Sequence, residues 1–201
     1  MVVVGTSWGG LAALKRLVQG LPEDFAAPLV VVQHRHKDSD SVLARALQTY
    51  TALSVCEVED KMPLSANALF LAPPDYHLLV EADGFSLSTD APVHYSRPSI
   101  DVTFISAADT FGAGVTGVVL TGANDDGARG LQRIVKRGGR AIVQDPMDAE
   151  ASAMPRAAVR AVPSARVLPL DRIPEALVAY LAAGRGDGVS PDPYGASEPA
   201  P

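Results

Sequence analysis

The chain has a single cysteine, Cys56, and a single tryptophan, Trp8, and aromatic residues make up only 5% of it. One thiol cannot build a disulfide framework, so a packed core must hold these 201 residues together. A reducing compartment, the cytoplasm, is the expected setting. Cys56 lies in a strand-like run and reads as a small buried hydrophobe rather than a reactive thiol. Basic charge is also scarce: 17 Lys and Arg stand against 23 Asp and Glu, a net charge of −6. Without a basic surplus to neutralise phosphates, nucleic acid is not an expected partner. No apolar run approaches the ~18 residues of a membrane span, and the N-terminus lacks the charged region and cleavage site of a secretory signal. Direct membrane insertion is therefore not expected.

The chain is 47% hydrophobic, enough for one sizeable core in one domain. Its organising stretch is the N-terminal MVVVGTSWGG. Three valines read as a buried strand, which turns through Gly5-Thr6-Ser7-Trp8-Gly9-Gly10 into an amphipathic helix with Leu11, Leu14, Leu17, Val18 and Leu21 on one side. Gly5-x-Ser7-x-Gly9 fits the nucleophile-elbow pattern, in which a tight strand-to-helix turn exposes a serine above a parallel sheet. The free N–H groups of the following helix suit an anion or oxyanion at the same place. An ordinary turn with a serine N-cap competes with this reading, as does a phosphate-binding turn. The dinucleotide pattern G-x-G-x-x-G is not matched, and there is no Walker lysine.

Strands and helices alternate along the rest of the chain. Strands are expected at 29–32, 55–58, 68–72, 115–120, 141–144 and 167–168, and a helix at 42–50 with caps offered by Asp38, Ser39 and Ser41. Residues 77–89 read as a β-hairpin around an Asp83-Gly84 turn, an antiparallel insert. Ser99 is the expected N-cap of a helix with Ile100, Phe104, Ala107, Ala108 and Phe111 on its apolar face. Further helices follow over 127–137, from Met154-Pro155-Arg156, and over 173–181. The pattern predicts an α/β fold: a doubly wound, mostly parallel sheet with helices on both faces and a hairpin insert. Residues 1–183 form the expected domain, and 184–201, Gly-, Pro- and Ser-rich, an expected disordered tail.

In such sheets, sites gather at the C-terminal ends of the strands. Ser7 follows the first strand, His34 the second, and Asp126 the strong strand at 115–120. Nucleophile, base and orienting acid on one edge is what acyl transfer requires: serine is weak alone, histidine takes its proton, and a carboxylate fixes the imidazole tautomer. Taken singly, His34 is an ordinary strand-end histidine and Asp126 an ordinary helix N-cap. The order Ser, His, Asp differs from the α/β-hydrolase order of Ser, Asp or Glu, His, which disfavours a standard lipase or esterase fold.

Several segments appear together in a known order: Gly5-Thr6-Ser7-Trp8-Gly9-Gly10, Gln33-His34, Ala72-Pro73-Pro74-Asp75-Tyr76-His77, Ser96-Arg97-Pro98-Ser99-Ile100-Asp101, Thr121-Gly122 with Asp126-Gly127, and Gln144-Asp145 through Met154-Pro155-Arg156-Ala157-Ala158. From residue 2 to about 181 the chain resembles the catalytic domain of CheB, the chemotaxis receptor methylesterase. The resemblance implies Ser7 as nucleophile, His34 as base and Asp126 as its orienting carboxylate. It implies hydrolysis of glutamate methyl esters on receptor signalling helices, and deamidation of glutamines there, through an acyl-enzyme and without a metal or organic cofactor. The implied oxyanion donor is a backbone N–H of the 121–123 turn, Ala123 first, with Gly122 beside it. Trp8, Arg97, Pro98, Met154 and Arg156 are the implied lining of the substrate groove.

Three positions depart from the family pattern. Trp8 stands where a small residue is usual, Ala123 where methionine is common, and Asn124 where glycine is common, in a turn expected to need a positive φ that asparagine tolerates. His36 is an alternative base, placed second because His34 directly follows Gln33. Family members typically carry a phosphorylatable receiver domain before the catalytic one. This chain opens directly on its first strand, so the expectation is an enzyme that is constitutively open or controlled by a separate regulatory protein. The alternatives are an inactive adaptor of the same fold in a chemosensory assembly, or an esterase acting on a small ester.

Overall fold

A computed structural model describes residues 1–36 and 42–186. The expected caps Asp38, Ser39 and Ser41 lie outside the described residues, as do 187–201 of the expected tail. The elements are β1 (Val2–Thr6), α1 (Gly10–Gln19), β2 (Leu29–Gln33), α2 (Val42–Gln48), β3 (Ser54–Glu57), β4 (Ala68–Leu71), β5 (His77–Val80), β6 (Phe85–Ser88), α3 (Ile100–Phe111), β7 (Thr116–Val119), α4 (Ala128–Lys136), β8 (Arg140–Gln144), α5 (Ala153–Ala161), β9 (Arg166–Leu168) and α6 (Ile173–Gly186). The last helix runs past the expected boundary at 183. Among the described residues, no helix is long and apolar enough to cross a membrane.

Seven strands form one parallel sheet in the order β3-β4-β2-β1-β7-β8-β9. Alternate residues of β1 face opposite layers. Val3 packs with Ile100, Phe104 and Leu131 of α3 and α4, and Val2 and Val4 pack with Leu14, Leu17 and Leu177 of α1 and α6. A strand covered on both faces has no polar side, which explains the unbroken valine runs of β1 and β2. The chain builds outward from β1 through β2, then returns to β1's other edge with β7. This reversal of strand order leaves a crevice at the C-terminal ends of β1 and β7.

The insert is a separate two-stranded antiparallel sheet, with Val80 opposite Phe85. The expected Asp83-Gly84 turn falls within the loop that joins the two strands. Glu81 donates its N–H to Gly84 O across a four-residue loop, and Gly84 is not among the residues with positive φ. Glycine is needed there for space, because a Cβ would overlap the backbone carbonyl of Met62. The hairpin is tied to α3 by Thr103 Oγ1 donating to Leu78 O at 2.7 Å and Val80 N–H donating to Ser106 Oγ at 3.0 Å.

Gly5 sets the distance between the central strand and the start of α3. A Cβ at this position would overlap the Ile100 side chain, which is fully buried. Gly5→Ala is therefore expected to overpack the junction and cost about 1–3 kcal/mol, read as a lowered urea midpoint with an unchanged slope.

Candidate active site

Ser7 leaves β1 directly at the crevice, and its N–H donates to Thr121 O at 3.0 Å. The turn differs from a strained nucleophile elbow. Ser7 is not among the residues with positive φ, and the left-handed position falls on Gly9, at φ 77°. Gly10 then opens α1, with its N–H donating to Ser7 O at 2.9 Å. Gln33, the last residue of β2, donates from Nε2 to Ser7 O at 2.9 Å and to His34 O at 3.0 Å, so one amide ties the backbones of both residues. Thr121 fixes the third loop. Its Oγ1 donates to Trp8 O at 2.9 Å and accepts the Ala151 N–H at 2.8 Å.

Asp126 is fully buried, and its carboxylate accepts four hydrogen bonds. Oδ1 takes the Ser99 hydroxyl at 3.0 Å and the Asp101 N–H at 2.9 Å. Oδ2 takes the Ile100 N–H at 2.7 Å and meets His34 Nε2 at 2.8 Å. Asp126 thus caps α3, a helix distant in sequence, and not α4, which follows it. The cap position of α4 is Gly127, at φ 93° with no side-chain hydrogen bond. Burial alone would push the Asp126 carboxyl up. The hydrogen bonds from His34 and from the amides of Asp101 and Ile100 outweigh it and hold the group below the usual carboxylate range. An ionised Asp126 accepts only, so Nε2 of His34 carries the proton and Nδ1 is the basic nitrogen. Ser96 Oγ lies 3.4 Å and Asn124 Nδ2 3.5 Å from Nδ1.

Ser7, Trp8, Gln33, His34 and Ala123 line one open groove of about 640 Å³, floored by the first turn of α1. His34 and Asp126 are in direct contact. Among the described residues, no hydrogen bond joins Ser7 Oγ to His34, a looseness common before substrate binds. Trp8 stands 67% exposed on the groove wall beside Leu11. The N–H groups of Ala123 and Trp8 donate to no acceptor among the described residues, so both are available to an oxyanion.

Gly122, expected beside Ala123, is not available, because its N–H donates to Ala151 O at 3.0 Å. Its role is steric: a Cβ at 122 would overlap the Met154 side chain. Met154 is accordingly buried (1% exposed) beneath the 121–123 turn and does not line the groove. Arg156 is exposed, bonded from Nε to Ser152 Oγ at 3.2 Å, and also outside the groove lining. Arg97 and Pro98 border a second cavity, of about 240 Å³, that shares only His34 with the groove. The Arg97 guanidinium acts as a strut there, donating to Asp75 Oδ1 at 2.6 Å and to Thr89 O at 2.8 Å. His36 also borders that cavity and not the groove. Asn124 needs no positive φ, contrary to expectation; its Oδ1 instead accepts the Asp126 N–H at 3.3 Å.

Sequence reasoning missed Gln33 and Ser99 as site-building residues. Gln33 was visible only as His34's neighbour, and Ser99 only as a helix cap. His94, Asp101 and Asp126 place three potential metal ligands within 4.8 Å of one another. The donor set does not fit a cation, because the four hydrogen bonds to Asp126 occupy both lone pairs of each oxygen.

A carboxyl whose folded pKa lies below its unfolded value stabilises the fold above that unfolded value, about 3.9. The contribution is lost as pH falls through the folded value. Near neutral pH, Asp126→Asn is expected to cost about 3 kcal/mol, as breaking a buried pair does. In urea titrations repeated downward from about pH 5, the gap between wild type and variant closes as Asp126 protonates.

Comparison with known proteins identifies the family of the chain. The family model described as CheB methylesterase matches residues 2–177. A Leptospira interrogans protein, provisionally named protein-glutamate methylesterase/protein-glutamine glutaminase, is 43% identical over 178 residues, covering 88% of this chain and 92% of that one. A Symbiobacterium thermophilum protein-glutamate methylesterase/protein-glutamine glutaminase is 36% identical over 185 residues, 92% of this chain and 51% of its own length. The crystal structure of the Thermotoga maritima CheB methylesterase catalytic domain superposes with a TM-score of 0.86 at 32% identity, covering 89% of this chain and 97% of that one. Fold and sequence agree, and the chain belongs to the CheB methylesterase family.

Proposed function

We propose that this protein is a cytoplasmic serine hydrolase that removes methyl groups from glutamate methyl esters, and deamidates glutamines, on the signalling helices of chemotaxis receptors. The observation that carries the reading is the buried His34–Asp126 pair, 2.8 Å apart, facing Ser7 across one groove. The names of the relatives supply the substrate class.

In this reading Ser7 Oγ attacks the ester carbonyl as its proton passes to His34 Nδ1. Asp126 stays ionised and stabilises the imidazolium through Nε2–H. The tetrahedral oxyanion is received by the N–H groups of Ala123 and Trp8. His34 then gives its proton to the departing methanol, or to ammonia from a glutamine, and water releases the carboxylate from Ser7. None of these steps calls on a metal or organic cofactor. The exposed indole of Trp8 offers an apolar platform to one side of a substrate helix.

Methanol release from a methylated receptor signalling fragment tests the reading. Wild type is expected to release methanol and Ser7→Ala none, while equal release from both overturns the nucleophile assignment. A fluorophosphonate probe is expected to label Ser7, and no labelling would leave a binding module of the same fold. Asp126→Asn is expected to lower kcat by about 10⁴-fold, because the imidazole then loses its productive tautomer; a loss within about twofold overturns the triad.

A further inference from the structure

His34 borders both the catalytic groove and a second, smaller cavity. Its groove side holds Ser7 and Ala123, and the smaller cavity reaches it past Ser96, Pro92, Arg35 and Arg97. An acyl-enzyme, the premise taken over from the proposed function, sets a supply problem. A polypeptide substrate esterified to Ser7 lies over the groove, yet water has to arrive beside Nδ1 of His34. We infer that the second cavity is the path by which hydrolytic water enters and the small leaving group departs, with Ser96 as the residue that positions the water.

Three observations carry this. The cavity bypasses the groove, meeting it at the catalytic base alone. Its lining is polar, which favours water over a dry void, and about 240 Å³ accommodates several waters at ~30 Å³ each. At the inner end, Ser96 Oγ lies 3.4 Å from His34 Nδ1 and 3.4 Å from His94 O. Both contacts of the hydroxyl are equally long, well beyond the ~2.8 Å of a firm O–H···O hydrogen bond, so neither competes strongly with a water at Ser96 Oγ. The water it holds has Nδ1 as its next neighbour.

In deacylation the water oxygen bonds to the acyl carbon while one water proton passes to His34 Nδ1. The intermediate collapses by breaking the bond from that carbon to Ser7 Oγ, and Ser7 Oγ takes the proton back from Nδ1. The products are a free carboxyl group and intact serine. Methanol or ammonia, formed earlier at the same nitrogen, leaves through the same cavity.

Pro92→Trp, at the exposed rim, is the test. Steady-state methanol release from the receptor fragment is expected to fall about tenfold or more, with an ester-linked enzyme–fragment adduct accumulating on acid-quenched gels. Hydrolysis of p-nitrophenyl acetate and fluorophosphonate labelling are expected to stay within about twofold of wild type, because a small acyl group leaves the groove open to water. Ser96→Val narrows the inner end and removes the hydroxyl, and is likewise expected to accumulate the adduct. Adduct in neither variant, with wild type releasing methanol, overturns the water path and leaves the esterase reading intact. Parallel loss of protein and small-ester turnover in Pro92→Trp overturns it as well. A wild type that releases no methanol fails the esterase reading, and the inference falls with it.

Discussion

The Asp126 carboxylate is the interaction on which the rest of the site depends. It holds the N-terminus of α3 through two backbone amides and the Ser99 hydroxyl, and it holds His34 through Nε2. A buried charge in an apolar core is unfavourable unless it is paired and hydrogen-bonded. Here both conditions are met, and the positive end of a helix adds to them. The same four contacts join the loop after β7, the start of α3 and the end of β2. Stability and catalytic geometry are therefore coupled at one group.

The loops bearing Ser7 and His34 are held to comparable precision by neutral groups. Gln33 ties the carbonyls of Ser7 and His34 with one amide, and Thr121 ties the Trp8 carbonyl to the 151 backbone. Beneath them, steric limits act in place of hydrogen bonds: Gly5 admits Ile100 and Gly122 admits Met154. Reacting groups borne on loops become a site because backbone groups of three adjacent strand ends are cross-linked at short range.

Much of this was legible in the residues. Unbroken valine runs required strands covered on both faces, and Ser7, His34 and Asp126 each followed such a strand. Ser99 read correctly as the cap of α3. The misplaced residues share a physical reason. Met154 and Arg156 sit on a loop near the site edge, but which way a side chain points there depends on what packs beneath it. Arg97 looked like a groove cation, and its guanidinium is consumed by Asp75 and the Thr89 carbonyl. For Asn124 the local expectation was a backbone conformation, and the actual constraint is a side-chain contact with the Asp126 amide.

Alternating apolar runs, glycine punctuation and strand-end polar residues determined the layered sheet, its two helical faces and the edge on which chemistry sits. Those features are local in sequence and carry their own periodicity, so no neighbour was needed to read them. Tertiary structure alone decided which helix Asp126 caps, which nitrogen of His34 is basic, which amides remain free for an oxyanion, and that a second cavity reaches the base. Each depends on groups far apart in the chain, such as His34 and Asp126 or Gly122 and Ala151. Only the packed sheet brings them within hydrogen-bond distance.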